Sequence, residues 1–538
     1  MINPQNPSPI TLLHPELLWR IFQENIAVVF EPWLSDPEAV QSRDLAPPKP
    51  LATVWDCSQV CREWRSMLLQ SPSVWGKVID LAFLGQKKEE YKQEVLSRTG
   101  QAPLFIFGRP HVNTLLYFAP FLEENWWRVQ SMEIRSIDDI GNRQHISWDF
   151  LKKPAHCLEN FHLNLMFRDD DVLPDSDRLF NDYAPHLKSF VIQGRNYKLS
   201  PKASWLKNLS HVTFCGDHTM EEVFAALEQT PELVTLEMCC SNVALAVAGP
   251  AVEGPAIDLP RLRKTCLRLG SHMFNGFSLL ERIKLSPDCC MGIATDMDSD
   301  KGWTPLSVDE DGYSRYEDAV AKQVLPYLKL HCPTTIYFVP HQQTLFLQEA
   351  DNVNADPHLI NPRYHFCIPL CIDFLDSSLL LQGLANFESF SNVTELSLLL
   401  GDYEKYKNAT IVSALRAFPS VRTLKTSDKI LAHLLENPVA ATLFPNLVKL
   451  DIHMRGGGVP PDQEPALHSF FRLRKSIGRP ISVLELLPTF FCDWPDLDYL
   501  EEYSGLLIKW STILDKKHGE YRCGDGRPEE LQFATKEA

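Results

Sequence analysis

The stretch LVKLDI, Leu447 to Ile452, places apolar side chains at its first, fourth and sixth positions and leaves the others variable. Its last four residues alternate apolar and variable, the period of a strand with one buried face. The same arrangement recurs as VQSMEI at Val129, LENFHL at Leu158, LKSFVI at Leu187, LSHVTF at Leu209 and LVTLEM at Leu233. A degenerate LRKTCL follows at Leu262, then LERIKL at Leu280, VTELSL at Val393, VRTLKT at Val421 and ISVLEL at Ile481. Spacings are mostly between 18 and 34 residues, and proline often precedes the motif.

Helical runs lie between the motifs, such as MEEVFAALE from Met220 and TIVSALRAF from Thr410. Strand then helix, repeated every 20–30 residues, is the signature of a leucine-rich-repeat solenoid. One unit cannot bury its apolar strand face alone, but stacked neighbours can. The expected fold class is therefore α/β, with parallel strands on a concave face and helices on a convex one. The repeat domain is expected over 83–515. From 286 to 391 only weak matches occur, such as TTIYFV at Thr334, and the acidic stretch TDMDSDKGWTPLSVDEDGYSRYED reads as an extended loop or insertion. Residues 516–538 read as a charged, loosely ordered tail. The variable strand positions expected to face a bound protein are Glu133, His162, Thr213, Glu237, Lys284, Lys425, Asp451 and Glu485. Their mixed signs give no simple charge rule for that protein.

Composition narrows the classes. A chain of 538 residues suggests at least two domains, and 44% hydrophobic with 22% charged residues describes an ordinary globular protein. A net charge of −17 argues against a general nucleic-acid binder. No apolar run approaches the ~18 residues that span a bilayer, and MINPQNPSPI lacks the pattern of a secretory signal. The 14 cysteines read as free thiols of a cytoplasmic or nuclear protein, and the sequons at Asn208, Asn392 and Asn408 carry no weight there.

No motif brings catalytic or metal chemistry. Asp296-x-Asp-x-Asp300 has Lys301 and Ser307 where a calcium loop needs glycine and glutamate. Cys367-x-x-x-Cys371 with His365, and the pairs Cys239-Cys240 and Cys289-Cys290, lack a second half at zinc spacing. Gly456-Gly-Gly458 lacks the Lys-Ser/Thr of a phosphate loop. The chain is therefore expected to be no enzyme, with no cofactor and no metal. A weaker alternative is an enzyme using the 286–391 segment, with His331, Cys332, His365 and Cys367 lining a pocket.

The N-terminus reads as helices. Pro15 suits a first helical turn, and Leu17, Leu18, Ile21 and Phe22 share one face. A proline-rich loop over about 31–50 follows. Val54, Cys57, Cys61, Trp64 and Leu68 then predict one amphipathic helix of about five turns, and Ser71-Pro72 opens a third carrying Trp75, Val78 and Ile79.

LLHPELLWRIF and VCREWRSMLLQSPSVWGKVI resemble the F-box, with VLSRTGQAPLFIFG from Val95 resembling the lead into the repeats of the large fungal F-box/leucine-rich-repeat family. The likeness covers about 100 residues. His14 stands where that family often has proline, and the gap from Phe22 to Val60 is about twice the usual one. The resemblance implies an F-box-like domain over 9–82 that docks on the adaptor of an SCF-type cullin–RING ubiquitin ligase. It implies adaptor contacts at Leu13, Pro15, Leu17, Ile21, Phe22, Val60, Cys61, Trp64 and Trp75, with Glu16 also matching the motif. The chain would then be a non-catalytic receptor that holds a protein substrate on its repeats, with no nucleic acid and no membrane as partner. The alternative is a repeat scaffold whose N-terminal helices only cap the solenoid.

Overall fold

The computed structural model describes residues 13–26, 50–134, 146–164, 173, 176–193, 197, 199–215, 218–239, 254–269, 273–295, 310–341, 344–350, 364–371, 378–385, 388–398, 409–437, 439–453, 465–487, 496–511 and 518–533. The chain divides into two compact units, Met1–Ser286 and Pro287–Ala538. Both are α/β, and in both the sheet is mostly parallel.

The first unit opens with α1 (Pro15–Asn25), where Pro15 takes the first turn beside Glu16. The predicted five-turn helix is two helices, α2 (Pro50–Val60) and α3 (Arg62–Leu69). Cys61 breaks them: its backbone is extended, at φ −155° and ψ 169°, and its Sγ accepts the Trp64 N–H at 3.5 Å. The apolar stripe keeps its helical period across the break, so periodicity alone could not reveal it. Pro50, expected in the loop, is the first residue of α2. The rest of that loop, residues 31–49, lies outside the described residues. The third helix, α4 (Pro72–Gly76), ends before Val78, and Ile79 belongs to a strand, β1 (Ile79–Asp80).

There follow α5 (Leu81–Gly85), α6 (Glu89–Arg98), β2 (Leu104–Gly108), α7 (Val112–Asn125), β3 (Val129–Ile134), β4 (Asn160–Asn164), β5 (Ser189–Gln193) and β6 (His211–Phe214). Then come α8 (Met220–Leu227), β7 (Thr235–Cys239), β8 (Ile257–Asp258), β9 (Lys264–Leu269), α9 (Met273–Arg282) and β10 (Ile283–Lys284). Helix α8 forms where expected, held by a capping box in which Thr219 and Glu222 bond each other's backbone. Strands β1 to β7 and then β9 pair in chain order, all parallel. On the core side of this sheet β4 and β5 bring aromatic rings together. Phe161 and Phe190 stack at 5.8 Å, and Phe190 meets Trp205 at 4.7 Å.

The second unit contains β11 (Cys290–Thr295), α10 (Glu310–Leu330), β12 (Thr335–His341), β13 (Thr344–Ala350), β14 (Tyr364–Cys371), α11 (Leu379–Ala385), β15 (Glu395–Leu398), α12 (Ala409–Leu415) and β16 (Thr423–Ser427). It continues with α13 (Asp428–Glu436), β17 (Lys449–His453), α14 (Ala466–Ser476), β18 (Val483–Leu486), β19 (Leu507–Ser511) and β20 (His518–Arg522). The sheet order is β11, β14, β13, β12, then β15 to β20. Strands β12, β13 and β14 form antiparallel pairs, and β20 is antiparallel to β19. On the core side Leu396, Leu424, Leu450, Leu484 and Ile508 run in register and are almost wholly buried, beside the buried rings of Phe390 and Phe418, which stack at 4.9 Å.

Two expectations are corrected by these strands. The 286–391 segment is no extended insertion in its described residues, which form β11, α10 and the β12–β14 meander. Prolines inside α10 (Pro326), β12 (Pro340) and β14 (Pro369) disguised these elements as breaks. The C-terminal residues expected as a loose tail supply β20, and Tyr521, Cys523 and Leu531 are buried.

One bonding pattern recurs in both units. The N–H groups at the second and third motif positions share the carbonyl at the second position of the preceding motif. Lys188 and Ser189 donate to the Glu159 carbonyl at 2.8 and 3.1 Å, and Val448 and Lys449 to that of Arg422 at 3.0 and 2.9 Å. The asparagine before a motif ties back to a proline before the preceding one. Asn208 Nδ2 donates to the Pro185 carbonyl at 3.3 Å, and Asn446 Nδ2 to that of Pro419 at 3.0 Å. These bonds satisfy backbone carbonyls where the chain enters each strand, which gives the recurrent proline and asparagine a physical role.

Candidate protein-binding surfaces

The N-terminal helices turn one side inward. Phe22 and Trp64 meet edge to face at 5.0 Å, Trp75 Nε1 donates to the Leu68 carbonyl at 2.9 Å, and the Arg98 guanidinium lies 4.6 Å over the Trp75 ring. Trp75 is wholly buried and Phe22 nearly so. These two candidate adaptor contacts are core residues of the module, for burial of large rings is what holds helices this short together. The outward side is apolar at other positions. Leu17 and Ile21, one turn apart on α1, are 48% and 41% exposed, and Val60, at the break after α2, is 61% exposed. Pro15 and Cys61 are exposed, while Leu13 and Trp64 are half-buried. Leu69, at the end of α3, is exposed as well and lay outside the candidate set.

The sheet of the first unit aligns four candidate positions in one row. Glu133 pairs with His162, His162 with Val191, Val191 with Thr213, and Thr213 with Glu237. All are at least nine-tenths buried. Thr213 Oγ1 donates to Glu237 Oε2 at 3.0 Å, and His162 Nε2 lies 2.6 Å from Ser189 Oγ. His211 Nε2 is 4.0 Å from Glu237, yet burial holds its basicity below the ordinary value, against the pull of that carboxylate. The next residue of the row, Cys266, has its thiol pushed up to about 12, by burial first and by Glu237 second. Lys284 does not join the row. It sits on the two-residue strand β10, paired with β8 apart from the main sheet, because the LERIKL motif yields only two strand residues.

In the second unit the row reads Tyr337, Ser397, Lys425, Asp451, Glu485, Lys509. Lys449 binds two of these carboxylates, Asp451 Oδ1 at 3.0 Å and Glu485 Oε2 at 2.7 Å. The two partners shift in ways that look opposed. The Asp451 carboxyl is raised, because burial outweighs the attraction of Lys449. The Lys449 ammonium, against its own burial, is raised by bonds to both carboxylates. Two acceptors outweigh partial burial for the cation, whereas the nearly enclosed Asp451 has one cation and Glu485 beside it.

The variable-position rule reached seven of its eight residues in these rows. It passed over Ser397, the fifth position of VTELSL, and Lys449, the third of LVKLDI, though both obey the same alternation. Tyr337 and Lys509 were hidden because their strands break the motif. His331 and Cys332 are exposed, His331 stacking on Tyr327 at 4.6 Å, and Cys367 is buried. The Asp296–Asp300 and Gly456–Gly458 stretches, Cys240, and the side chains of His365 and Cys371 lie outside the described residues. Among the described residues no group of three or more His, Cys, Asp or Glu could hold a metal ion, and no helix is long and apolar enough to cross a membrane. No family model matches the chain, and no curated protein matches it.

Proposed function

We propose that the chain is a substrate receptor of an SCF-type cullin–RING ubiquitin ligase. An F-box-like N-terminal module docks on the adaptor, and leucine-rich-repeat sheet faces hold a protein substrate. The observation that carries the reading is the exposed apolar set Leu17, Ile21 and Val60 on short helices whose opposite side is already buried. Covering one such side chain contributes about 1.5–3 kcal/mol when complete, against an association cost of about 4–15 kcal/mol. Docking therefore needs Leu69 and the half-buried Leu13 and Trp64 as well. Catalysis is by proximity: a substrate held on the repeats has its lysines near the ubiquitin-charged enzyme.

Co-purification tests it. The intact chain should bring down the ligase adaptor, and Leu17→Asp with Ile21→Asp should abolish that while the fold survives, since both residues are exposed. An intact chain that captures no adaptor, or a double variant that captures as much, overturns the reading. One observation favours the scaffold alternative. Trp55 of α2 packs on Tyr91 of α6 at 4.9 Å, and Trp75 of α4 under Arg98, so these helices also serve the unit behind them. A cap predicts that deleting residues 1–26 lowers stability without changing any partner.

A further inference from the structure

On the face of the second unit, polar groups stand idle in the free chain. Tyr337, Ser397 and Lys425 are in register on β12, β15 and β16. Adjacent strands lie about 4.8 Å apart, so the three side chains leave the sheet as one short row. Tyr337 and Ser397 are 5% and 0% exposed, and their hydroxyls have no hydrogen-bond partner among the described residues. A buried hydroxyl without a partner destabilises a fold, and phenylalanine or alanine would occupy either place without that cost. Burial, with Glu395 second, pushes the Tyr337 phenol up to about 12, so it remains an O–H donor at neutral pH. Lys425 is half-buried beside Ser397 and forms no ion pair among the described residues.

The next two residues of the row carry the opposite sign. Asp451 and Glu485 share Lys449, the one cation within ion-pair distance of them among the described residues, which leaves these three groups one negative charge in excess; Lys509, next in the row, is exposed and forms no ion pair there. The row thus passes from three donors centred on Ser397 to a net-negative pair centred between β17 and β18, about 12 Å away.

We propose that this row anchors an extended segment of a partner polypeptide, with an acidic side chain over Tyr337, Ser397 and Lys425 and a basic one over Asp451 and Glu485. The proposal rests on the reading of the sheet face as a protein-binding surface and names the chemistry it selects. The partner carboxylate accepts the two O–H bonds and the Lys425 ammonium, whose flexible stem moves to admit it. Glu395, on the same strand face as Ser397, disfavours the second charge of a phosphate dianion and so selects a carboxylate. The midpoint of Asp451 and Glu485 lies about 12 Å from Ser397, and only residues an even number apart share a face of an extended chain, so a spacing of four residues, about 13 Å, gives the pattern acidic, three variable, basic.

The test uses the full chain and a fluorescein-labelled 12-residue Gly/Ser peptide, acetylated and amidated, with glutamate followed four residues later by lysine. Anisotropy should report binding, and replacing the glutamate by glutamine should weaken it about tenfold or more, as for loss of a charge-assisted hydrogen bond. Tyr337→Phe and Ser397→Ala should each weaken binding several-fold and leave the Tm of the free chain unchanged or raised. Equal binding of the glutamine peptide, displacement by inorganic phosphate, or a lowered Tm in both hydroxyl variants overturns the proposal. If the glutamate peptide does not bind, yet Lys425→Glu with Lys509→Glu reduces proximity labelling of proteins that accumulate under proteasome inhibition, the carboxylate anchor is wrong and the protein-binding reading stands. If both are negative, the face is not a binding surface and both fail.

Discussion

Glu237 and Asp451 hold the same fifth position of the six-residue motif, one in each unit, yet they are satisfied by different chemistry. Glu237 is fully enclosed and takes a hydrogen bond from Thr213 on the neighbouring strand. Asp451 takes its bond from Lys449 on its own strand, and Glu485 shares that lysine. The donor makes the difference: Thr213, a neutral hydroxyl at the fifth position of the neighbouring motif, serves Glu237, whereas Lys449, at the third position of the same motif, serves Asp451. A neutral donor leaves a closed row, whereas a long ammonium carries the charge toward solvent and leaves a face with alternating signs. The fourth motif position differs too: it is Phe161 and Phe190 on adjacent strands of the first unit, and Leu396, Leu424, Leu450 and Leu484 on the strands of the second. One backbone pattern therefore supports two side-chain solutions.

The largest expected effect is in the cores. Phe190→Ala removes a ring held between Phe161 and Trp205 and should cost about 3–5 kcal/mol, while Leu424→Ala should cost about 2–5 kcal/mol. Urea unfolding of the two variants measures both, and equal losses near the lower value would remove the contrast between the cores. Next comes Thr213→Val, which leaves the enclosed Glu237 carboxylate without that donor and should cost about 1–3 kcal/mol. A neutral outcome would mean that the first row does not depend on its hydroxyl.

Lys449→Met should cost less than a fully buried pair would, about 1–2 kcal/mol, because Lys449 and Glu485 are both about one-third exposed and water screens them. A loss as large as in the core variants would show the second face to be as closed as the first. The smallest effect is in pH. Lys449 is raised in the folded chain, so its stabilisation is complete below the ordinary 10.5 and is lost as pH rises through its folded value. The Tm difference between wild type and Lys449→Met should therefore shrink above about pH 10.5. Thr213→Val, which removes no titrating group, should show no such convergence there.

Much of this was legible before any coordinates. The alternation in LVTLEM and LVKLDI placed Leu236 and Leu450 on the core side and Glu237 and Asp451 on the other, because neighbouring strand residues point to opposite faces. The register then brought Glu133, His162, Thr213 and Glu237 into one row and Lys425, Asp451 and Glu485 into another. The break at Cys61 was not legible, because the apolar period continues through it. Nor were β12 to β14, where prolines obscure the alternation and the pairing partners are supplied by antiparallel neighbours. At the N-terminus, periodicity found the apolar stripe but could not divide it: Phe22 went to the interior and Ile21, its neighbour, to the surface.

By itself, then, the sequence determined where most of the parallel strands fall and which side of each is apolar. Those properties are local, carried by side-chain alternation and by the proline or asparagine that precedes several of the motifs. The tertiary structure alone decided which polar groups meet a partner across strands and which, like the Tyr337 and Ser397 hydroxyls, meet none among the described residues. That outcome depends on register between residues up to 60 positions apart, as Tyr337 and Ser397 are, and no local pattern encodes the distance between two side chains on different strands.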